Sequence, residues 1–422
     1  MRNYLPKNID FMTASPNING TSLLELVKTY KTPLYVYDWE HIKDNISDFK
    51  KAFGHETLFR YAAKAFICKA FVKELSEHNW GIDVVSGGEM FTVSETLGSL
   101  EKALFNGTFK SEEEIDYFIK NKGGYISIDS RSEVNNINRI AGKNNVVQKV
   151  LIRLNLDLGA ETHPMVLTSG DNQQFGISTS HAEEVVSSVD SSENLSFSGV
   201  HVHIGSQIKD PNRYKLAMEK CGSFIKDYAE KIQGVPVFNA GGGFFSPYAG
   251  DDYDEDLTVY SNAIKEGIEK TWGKDFTLMI EPGRAVVNNP GIILYTTGAI
   301  KYDRGEKPYI LVDGGMSDNP RPAIYGSEHK LFNISNNSED KIIFAVSGRH
   351  CESGDLLVEE AELPKDTKPG DILMSTSTGA YTYSMASNYN RVPKAGVVAI
   401  HEEKALLIIK NQSFGDTALE DV

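Results

Sequence analysis

The chain reads as an α/β protein: a parallel (β/α)8 TIM barrel followed by an all-β C-terminal domain. Three observations predict this. Eight short apolar runs alternate with helix-like stretches between Leu58 and Arg284, the alternation stops after about residue 290 while the short runs continue, and chemically capable residues gather at the ends of the runs. Such runs, bounded by turn residues, suit buried strands. Eight strand-helix units over roughly 230 residues match the usual size of a barrel whose chemistry sits at the strand C-termini.

The eight runs are Leu58 to Lys64, Gly81 to Ser86, Lys102 to Gly107, Tyr125 to Asp129, Val150 to Leu156, Phe197 to Ser206, Pro236 to Gly243 and Thr277 to Arg284. Between several of them apolar residues recur at three and four spacing, as in Ile67 to His78 and Ser111 to Ile119, the signature of an amphipathic helix. Ser111, followed by Glu112, Glu113 and Glu114, is a predicted N-cap with acidic first-turn residues that suit the helix dipole. Beyond residue 290, runs at Ile292 to Gly298, Tyr309 to Asp313, Lys341 to Val346, Asp371 to Met374, Ala395 to Ile400 and Lys404 to Ile409 are separated by turn residues, with no helix expected between them. The segment Pro33 to Asp38 joins or abuts this β domain. The expected division is 1–36 as an N-terminal segment of the β domain, 37–290 as the barrel and 291–422 as the β domain.

Composition narrows the function class. A chain of 422 residues exceeds what one hydrophobic core usually organises. Its 40% hydrophobic and 24% charged residues are ordinary for a globular enzyme. A net charge of -15 argues against nucleic acid or an anionic membrane as partner. No stretch approaches the ~18 to 20 apolar residues of a membrane span, and the residues after Met1 carry no apolar run, so the cytoplasm is the expected compartment. Cys68, Cys221 and Cys351 are widely spaced without a C-x-x-C pair, which removes disulfide-framework and zinc readings, and no metal is expected.

The strand ends carry the chemistry. Lys64 closes the first run; His201 and His203, Gly241 to Gly243, and Glu281 to Arg284 follow on later ones. Singly, each has a bland reading. A lone lysine is usually a solvated charge, a strand histidine a satisfied core group, a glycine run a tight turn, Glu281 a salt-bridge partner of Arg284, and Cys351 a small buried hydrophobe. Jointly they are the parts that hold an aldehyde cofactor with a phosphate tail, namely pyridoxal 5'-phosphate (PLP). A desolvated lysine forms the Schiff base. Backbone N–H groups of a glycine turn hold phosphate. A carboxylate beside the pyridine nitrogen keeps it protonated, and the ring becomes an electron sink.

The order Lys64, H-x-H-I-G-S-Q, G-G-G, E-P-G-R, D-G-G-M, R-P-x-x-Y, C-E-S-G-D and G-A-Y-x-x-S-M-x-S-N-Y-N resembles the diaminopimelate decarboxylase family, fold-type III PLP-dependent decarboxylases related to ornithine decarboxylase and alanine racemase. The resemblance runs from Pro33 to about Val397. It implies decarboxylation of meso-2,6-diaminopimelate to L-lysine and carbon dioxide, by a homodimer with sites shared between subunits. It also implies that Lys64 carries the cofactor aldehyde, that His203 stacks on the ring and that Glu281 meets its nitrogen. Ser206, Gly242, Gly243, the backbone from Pro282 through Gly283 to Arg284, and Tyr381 would hold the phosphate. Arg284, Arg321, Tyr325, Glu352 and Tyr381 would bind substrate, and Cys351 would return the proton, with Cys351 and Glu352 serving the neighbouring subunit. Three departures stand out: Gly348-Arg349-His350 where Gly-Pro-x is commoner, Thr168 to Gln174 without the basic residue usual before Phe-Gly, and Ala65-Phe66 for Ala-Asn. The first two bear on substrate choice. The alternative they favour is a sister fold-III decarboxylase acting on another diamino acid or carboxylated polyamine. An amino-acid racemase is disfavoured by Glu281, and a silent PLP-binding homologue by the presence of Lys64 and Cys351.

Overall fold

The computed structural model describes residues 3–11, 13–156, 174–251, 256–303 and 305–422. Two compact units emerge: Ile46–Phe245 with Glu255–Gly283, and Met1–Asn45 with Ser246–Asp254 and Arg284–Val422.

The first unit is a closed parallel barrel. Its strands are Leu58–Ala62, Gly81–Val84, Ala103–Phe105, Tyr125–Ile128, Gln148–Asn155, Leu195–His201, Val237–Asn239 and Thr277–Ile280, and the fourth pairs with the fifth to close the ring. Most of these strand residues are buried, which is why the runs read as nearly continuous apolar stretches. Strands as short as Ala103–Phe105 suffice because each is flanked by neighbours in register. The helices form where the periodicity places them. Glu112–Lys120 starts at Ser111, whose hydroxyl accepts from the Glu114 N–H while Glu114 reaches back to the Ser111 backbone, a complete capping box. Lys69–Glu77 buries Phe71, Val72 and Leu75 on one face.

The sixth barrel strand contains a bulge. Phe197 pairs with Val150 but Gly199 pairs with Leu151, so Ser198 is an extra residue. Partners that are adjacent on the fifth strand face opposite ways. Phe197 and Gly199 therefore face opposite sides of the sheet although two residues apart, and His201 shares the face of Gly199. Gly199 has φ +147°, and a Cβ there would lie 2.0 Å from the Val237 carbonyl oxygen.

The second unit is built on a mixed sheet in the order Leu356–Pro364, Lys341–Ser347, Tyr309–Val312, Gly291–Lys301, Leu34–Asp38, Gly396–His401, Lys404–Ile409, with Ile372–Ser375 and Leu331–Asn333 paired alongside. Leu34–Asp38 lies antiparallel to Gly291–Leu294 and parallel to Gly396–Ile400. Its five residues are fully enclosed. The N-terminal segment adds a small three-stranded sheet, Ile9–Asp10, Asn17–Ile18 and Thr21–Ser22. Three elements differ from the sequence reading. Leu356–Pro364 is a strand whose exposed Glu359, Glu360 and Glu362 disguise it. Leu331–Asn333 is too short to register, and a five-residue helix, Arg321–Tyr325, interrupts the expected all-β run. No helix among the described residues is long and apolar enough to cross a membrane.

Replacing Gly199 by alanine forces a Cβ against backbone that cannot yield. We expect denaturant unfolding of Gly199→Ala to show a loss of at least about 2 kcal/mol. Unchanged stability would mean that the sixth strand tolerates another path.

Candidate active site

In the barrel unit the candidate residues collect just beyond the strand ends. Lys64 sits in a 3-10 turn, Ala63–Ala65, directly after the first strand. Its side chain is exposed while Ala63 and Ala65 are buried. The turn is held by Ala62 N–H donating to the Pro282 carbonyl at 3.1 Å. Gly283 lets the two turns meet, since a Cβ there would approach the Ala62 Cβ to 3.0 Å. The ammonium acts electrostatically on Asp83, Glu89 and His203.

His203 and the glycine turn form one unit of structure. Gly242 N–H donates to His203 Nδ1 at 3.1 Å, so that nitrogen is an acceptor and the ring is neutral. Burial, and then the Lys64 charge, push its pKa well below the usual imidazole range. A Cβ on Gly241 would lie 2.3 Å from the Val202 carbonyl oxygen, and one on Gly243 would lie 2.2 Å from that of Gly205. Both glycines also have positive φ, +71° and +95°, so no other residue fits this turn easily. Tyr214 braces it from below, donating to the Gly242 carbonyl at 2.8 Å. Ser206 and Gln207 follow His203 in a half-buried loop, with Gln207 at φ 58°.

Glu281 is 4% exposed. Its Oε1 accepts from Asn239 Nδ2 at 2.7 Å and from Asn106 Nδ2 at 3.1 Å. His201 Nε2 lies 3.3 Å from the same oxygen, off the line of a hydrogen bond, and burial lowers the pKa of that imidazole. Ser127 Oγ engages His201 Nδ1 at 2.9 Å. Burial alone would raise the Glu281 pKa, but the neighbouring His201 and the amide of Asn239 outweigh it and hold the group below the carboxylate range. Asp83 goes the other way. Burial, then the charge of Glu281, push it well above. Asn106 bridges the two, donating to Asp83 Oδ1 at 2.6 Å. The two shifts are opposite in sign, so ionisation of the pair favours Glu281 over Asp83.

In the second unit the geometry gathers cations over aromatic rings. The guanidinium of Arg284 lies 4.7 Å from the Tyr381 ring centre, and that of Arg321 lies 5.5 Å from the same ring and 4.9 Å from Tyr325. Arg284 Nη1 donates to Tyr248 Oη at 2.9 Å. Burial would raise the Tyr248 pKa, yet Arg284 and Arg321 bring it below its ordinary value. His329, 5% exposed, donates from Nδ1 to the Thr376 carbonyl at 2.9 Å, and its Nε2 is buried without a partner among the described residues. Burial pushes its pKa down to about 4. Cys351 and Glu352 sit on an exposed turn, with Cys351 N–H donating to Asn390 Oδ1 at 3.1 Å and Tyr389 Oη to Glu352 Oε2 at 3.3 Å.

The structure thus brings together Lys64, His203, Gly242, Gly243, Glu281 and Gly283 in one unit and Arg284, Arg321, Tyr325 and Tyr381 in the other. Asp83, Asn106, Asn239, Tyr248 and His329 join them without having been singled out from sequence. A lone polar residue closing an apolar run, as in Gly81-Ile-Asp83 or Ala103-Leu-Phe-Asn106, is the signal that could have found the first two. Among the departures, Arg349 keeps a backbone donor to the Gly314 carbonyl at 2.9 Å that a proline would forfeit. Phe66 is buried against Phe71, and its carbonyl accepts from Tyr61. Residues 168–173 of the Thr168 to Gln174 departure lie outside the described residues. Among the described residues no cluster of metal-ligating side chains occurs.

Residues 39–288 match the model of the pyridoxal-dependent decarboxylase pyridoxal-binding domain. Diaminopimelate decarboxylase of Bacillus subtilis is 36% identical over 417 residues, 96% of this chain and 94% of that protein. The chain belongs to the diaminopimelate decarboxylase family. The crystal structure of the M. jannaschii family member superposes with a TM-score of 0.91 at 30% identity, covering 98% of both chains. Its complex with L-lysine gives a TM-score of 0.92 at 29% identity, over 100% of this chain and 99% of that one. Family members are PLP-dependent carboxy-lyases, and this diaminopimelate decarboxylase homologue shares their barrel and separate sheet domain.

The neutral, buried His329 makes a pH prediction. An imidazole with an ordinary pKa of 6.5 in the unfolded chain and about 4 in the folded one binds more protons when unfolded. Its contribution is therefore complete above pH 6.5 and is lost as pH falls toward 4. Between pH 7 and 5 the wild type should lose on the order of 1–2 kcal/mol more stability than His329→Gln, read by denaturant unfolding at each pH. Equal losses in the two proteins would show that His329 does not stay neutral.

Proposed function

We propose that this chain catalyses the PLP-dependent decarboxylation of meso-2,6-diaminopimelate to L-lysine and carbon dioxide, as a homodimer. The observation that carries the reading is the buried, ionised Glu281. Asn239, Asn106 and His201 all press on one of its oxygens, Oε1, and the second oxygen receives none of them. Such a carboxylate suits a ring N–H, so the residues fit the cofactor. PLP, when bound, supplies an aldehyde for the substrate amine and a protonated ring that accepts the electron pair released with carbon dioxide.

The chain's own residues supply the rest. Lys64 is the amine that would carry the cofactor, on a turn fixed against Pro282 and Gly283. Neutral His203 would stack on the ring without opposing its positive charge. Ser206, Gly242, Gly243, the backbone through Gly283 and Arg284, and Tyr381 would hold phosphate. Arg284 and Arg321, stacked on tyrosines, would take substrate carboxylates, aided by Tyr325, and a guanidinium's fork suits that geometry. Glu352 would pair with a substrate ammonium. Cys351 would deliver a proton to the carbon that lost its carboxylate. A substrate with two carboxylates and two amines uses both kinds of recognition.

Incubating the purified protein with PLP and a panel of diamino acids, with mass spectrometry of the amines formed, tests the substrate. Lysine from diaminopimelate is the expected product. Turnover of another diamino acid alone would move the chain to a sister decarboxylase.

The shared-site reading gives a second test. Lys64→Ala and Cys351→Ala chains, each nearly inactive alone, should regain activity when mixed under conditions of demonstrated subunit exchange. Half of the dimers are then hybrids with one intact site of two, so recovery of about one quarter of wild type is expected. No recovery would mean that each site is built within one chain.

A further inference from the structure

The second unit contains a buried imidazole that the reaction as read above does not use. His350 is 8% exposed, and both ring nitrogens are engaged: Nε2 lies 2.8 Å from Ser317 Oγ and Nδ1 lies 3.3 Å from Asn390 Oδ1. Asn390 Oδ1 also accepts the Cys351 N–H at 3.1 Å, which fixes the amide oxygen on that side. An amide oxygen cannot donate, so Nδ1 carries the imidazole proton and Nε2 accepts from the Ser317 hydroxyl. One atom of Asn390 thus couples the ring of His350 to the backbone of Cys351. Asn390 holds that position at φ 52°, a conformation asparagine tolerates better than most residues.

The surroundings extend the coupling to both functional side chains of the turn. His350 N–H donates to Asp355 Oδ2 at 2.8 Å, and Met316 N–H donates to Asp355 Oδ1 at 2.6 Å. Ser317 is thereby held beside the turn it contacts. The Tyr389 ring packs on His350 with centres 5.3 Å apart, and its hydroxyl reaches Glu352. A buried histidine with satisfied nitrogens is commonly only packing. This one touches both the residue that orients the Cys351 backbone and the ring that holds Glu352.

We propose that His350 is a positioning residue for proton delivery: through Asn390 and Ser317 it sets where the Cys351 thiol stands. The inference rests on the reading of Cys351 as the proton donor. His350→Phe keeps an aromatic ring against Tyr389 and removes both polar contacts. It should lower kcat about tenfold or more while leaving KM within about twofold, because substrate capture does not involve the thiol. His350→Asn, which restores a donor toward Asn390, should recover part of that loss. Ser317→Ala, a milder change, should lower kcat in the same sense.

The decisive measurement is a double-mutant cycle with Cys351→Ala, scored by kcat and by single-turnover product formation in holoenzymes whose thermal unfolding matches wild type. If His350 acts through Cys351, His350→Phe adds no further loss in the Cys351→Ala background. The alkylation rate of Cys351 by iodoacetamide, which Cys68 and Cys221 as buried thiols do not obscure, should also change in His350→Phe. Losses that multiply, or wild-type kcat and alkylation in both His350→Phe and Ser317→Ala, overturn the inference while leaving Cys351 as the donor. Wild-type turnover in Cys351→Ala overturns the reading of Cys351 itself, and the inference with it.

Discussion

The barrel is organised around one buried negative charge. Taking a carboxylate out of water is costly unless dipoles and partners replace the lost hydration. For Glu281, after the eighth strand, the replacements come from separate strands. Asn106 follows the third, His201 ends the sixth and Asn239 ends the seventh. Ser127 of the fourth contacts the His201 ring, and Asp83 of the second is pushed toward its neutral form by burial and by the charge of Glu281. No single strand could assemble these groups. Closure of the ring brings them together, and an error in register on any of those strands would leave the charge unsupported.

The second unit solves the opposite problem. Arg284 and Arg321 carry like charges onto one tyrosine ring, an arrangement that repels in a medium of low dielectric. The faces of Tyr381 and Tyr325 offset part of that repulsion through their quadrupoles. Tyr248 is drawn toward ionisation, and His329 is kept from adding a third cation. The result is a surplus of positive field in that unit.

Much of this was legible in the sequence because the residues that matter interrupt apolar strands. Lys64, His203 and Glu281 each end a run in which a charged or polar side chain has no packing reason to be, and the barrel rhythm follows from strands buried on both faces. What could not be read has physical causes. Asp83 and Asn106 each appear as a single polar position in an apolar run, a signal that marks a place without naming its partner. The strand Leu356–Pro364 carries glutamates on its outer face and so lost its apolar signature. The contacts among Ser317, His350 and Asn390 join turns about 30 to 40 residues apart, and no periodicity encodes them. Tyr248 and His329 lie in irregular segments whose positions are fixed only by the finished fold.

The extra residue in the sixth barrel strand gives length a meaning there that composition does not have. Because Ser198 occupies no place in the ladder, it works as a parity bit: after it the two faces exchange places, so that His201 falls on the face of Gly199 and not on that of Phe197. Many side chains in this strand could be exchanged for others of similar size without changing which way His201 points. Loss or gain of one residue would invert that assignment at once, though every functional residue were still present in order. For this chain, an insertion or deletion within the sixth strand therefore concerns chemistry even where composition is unchanged.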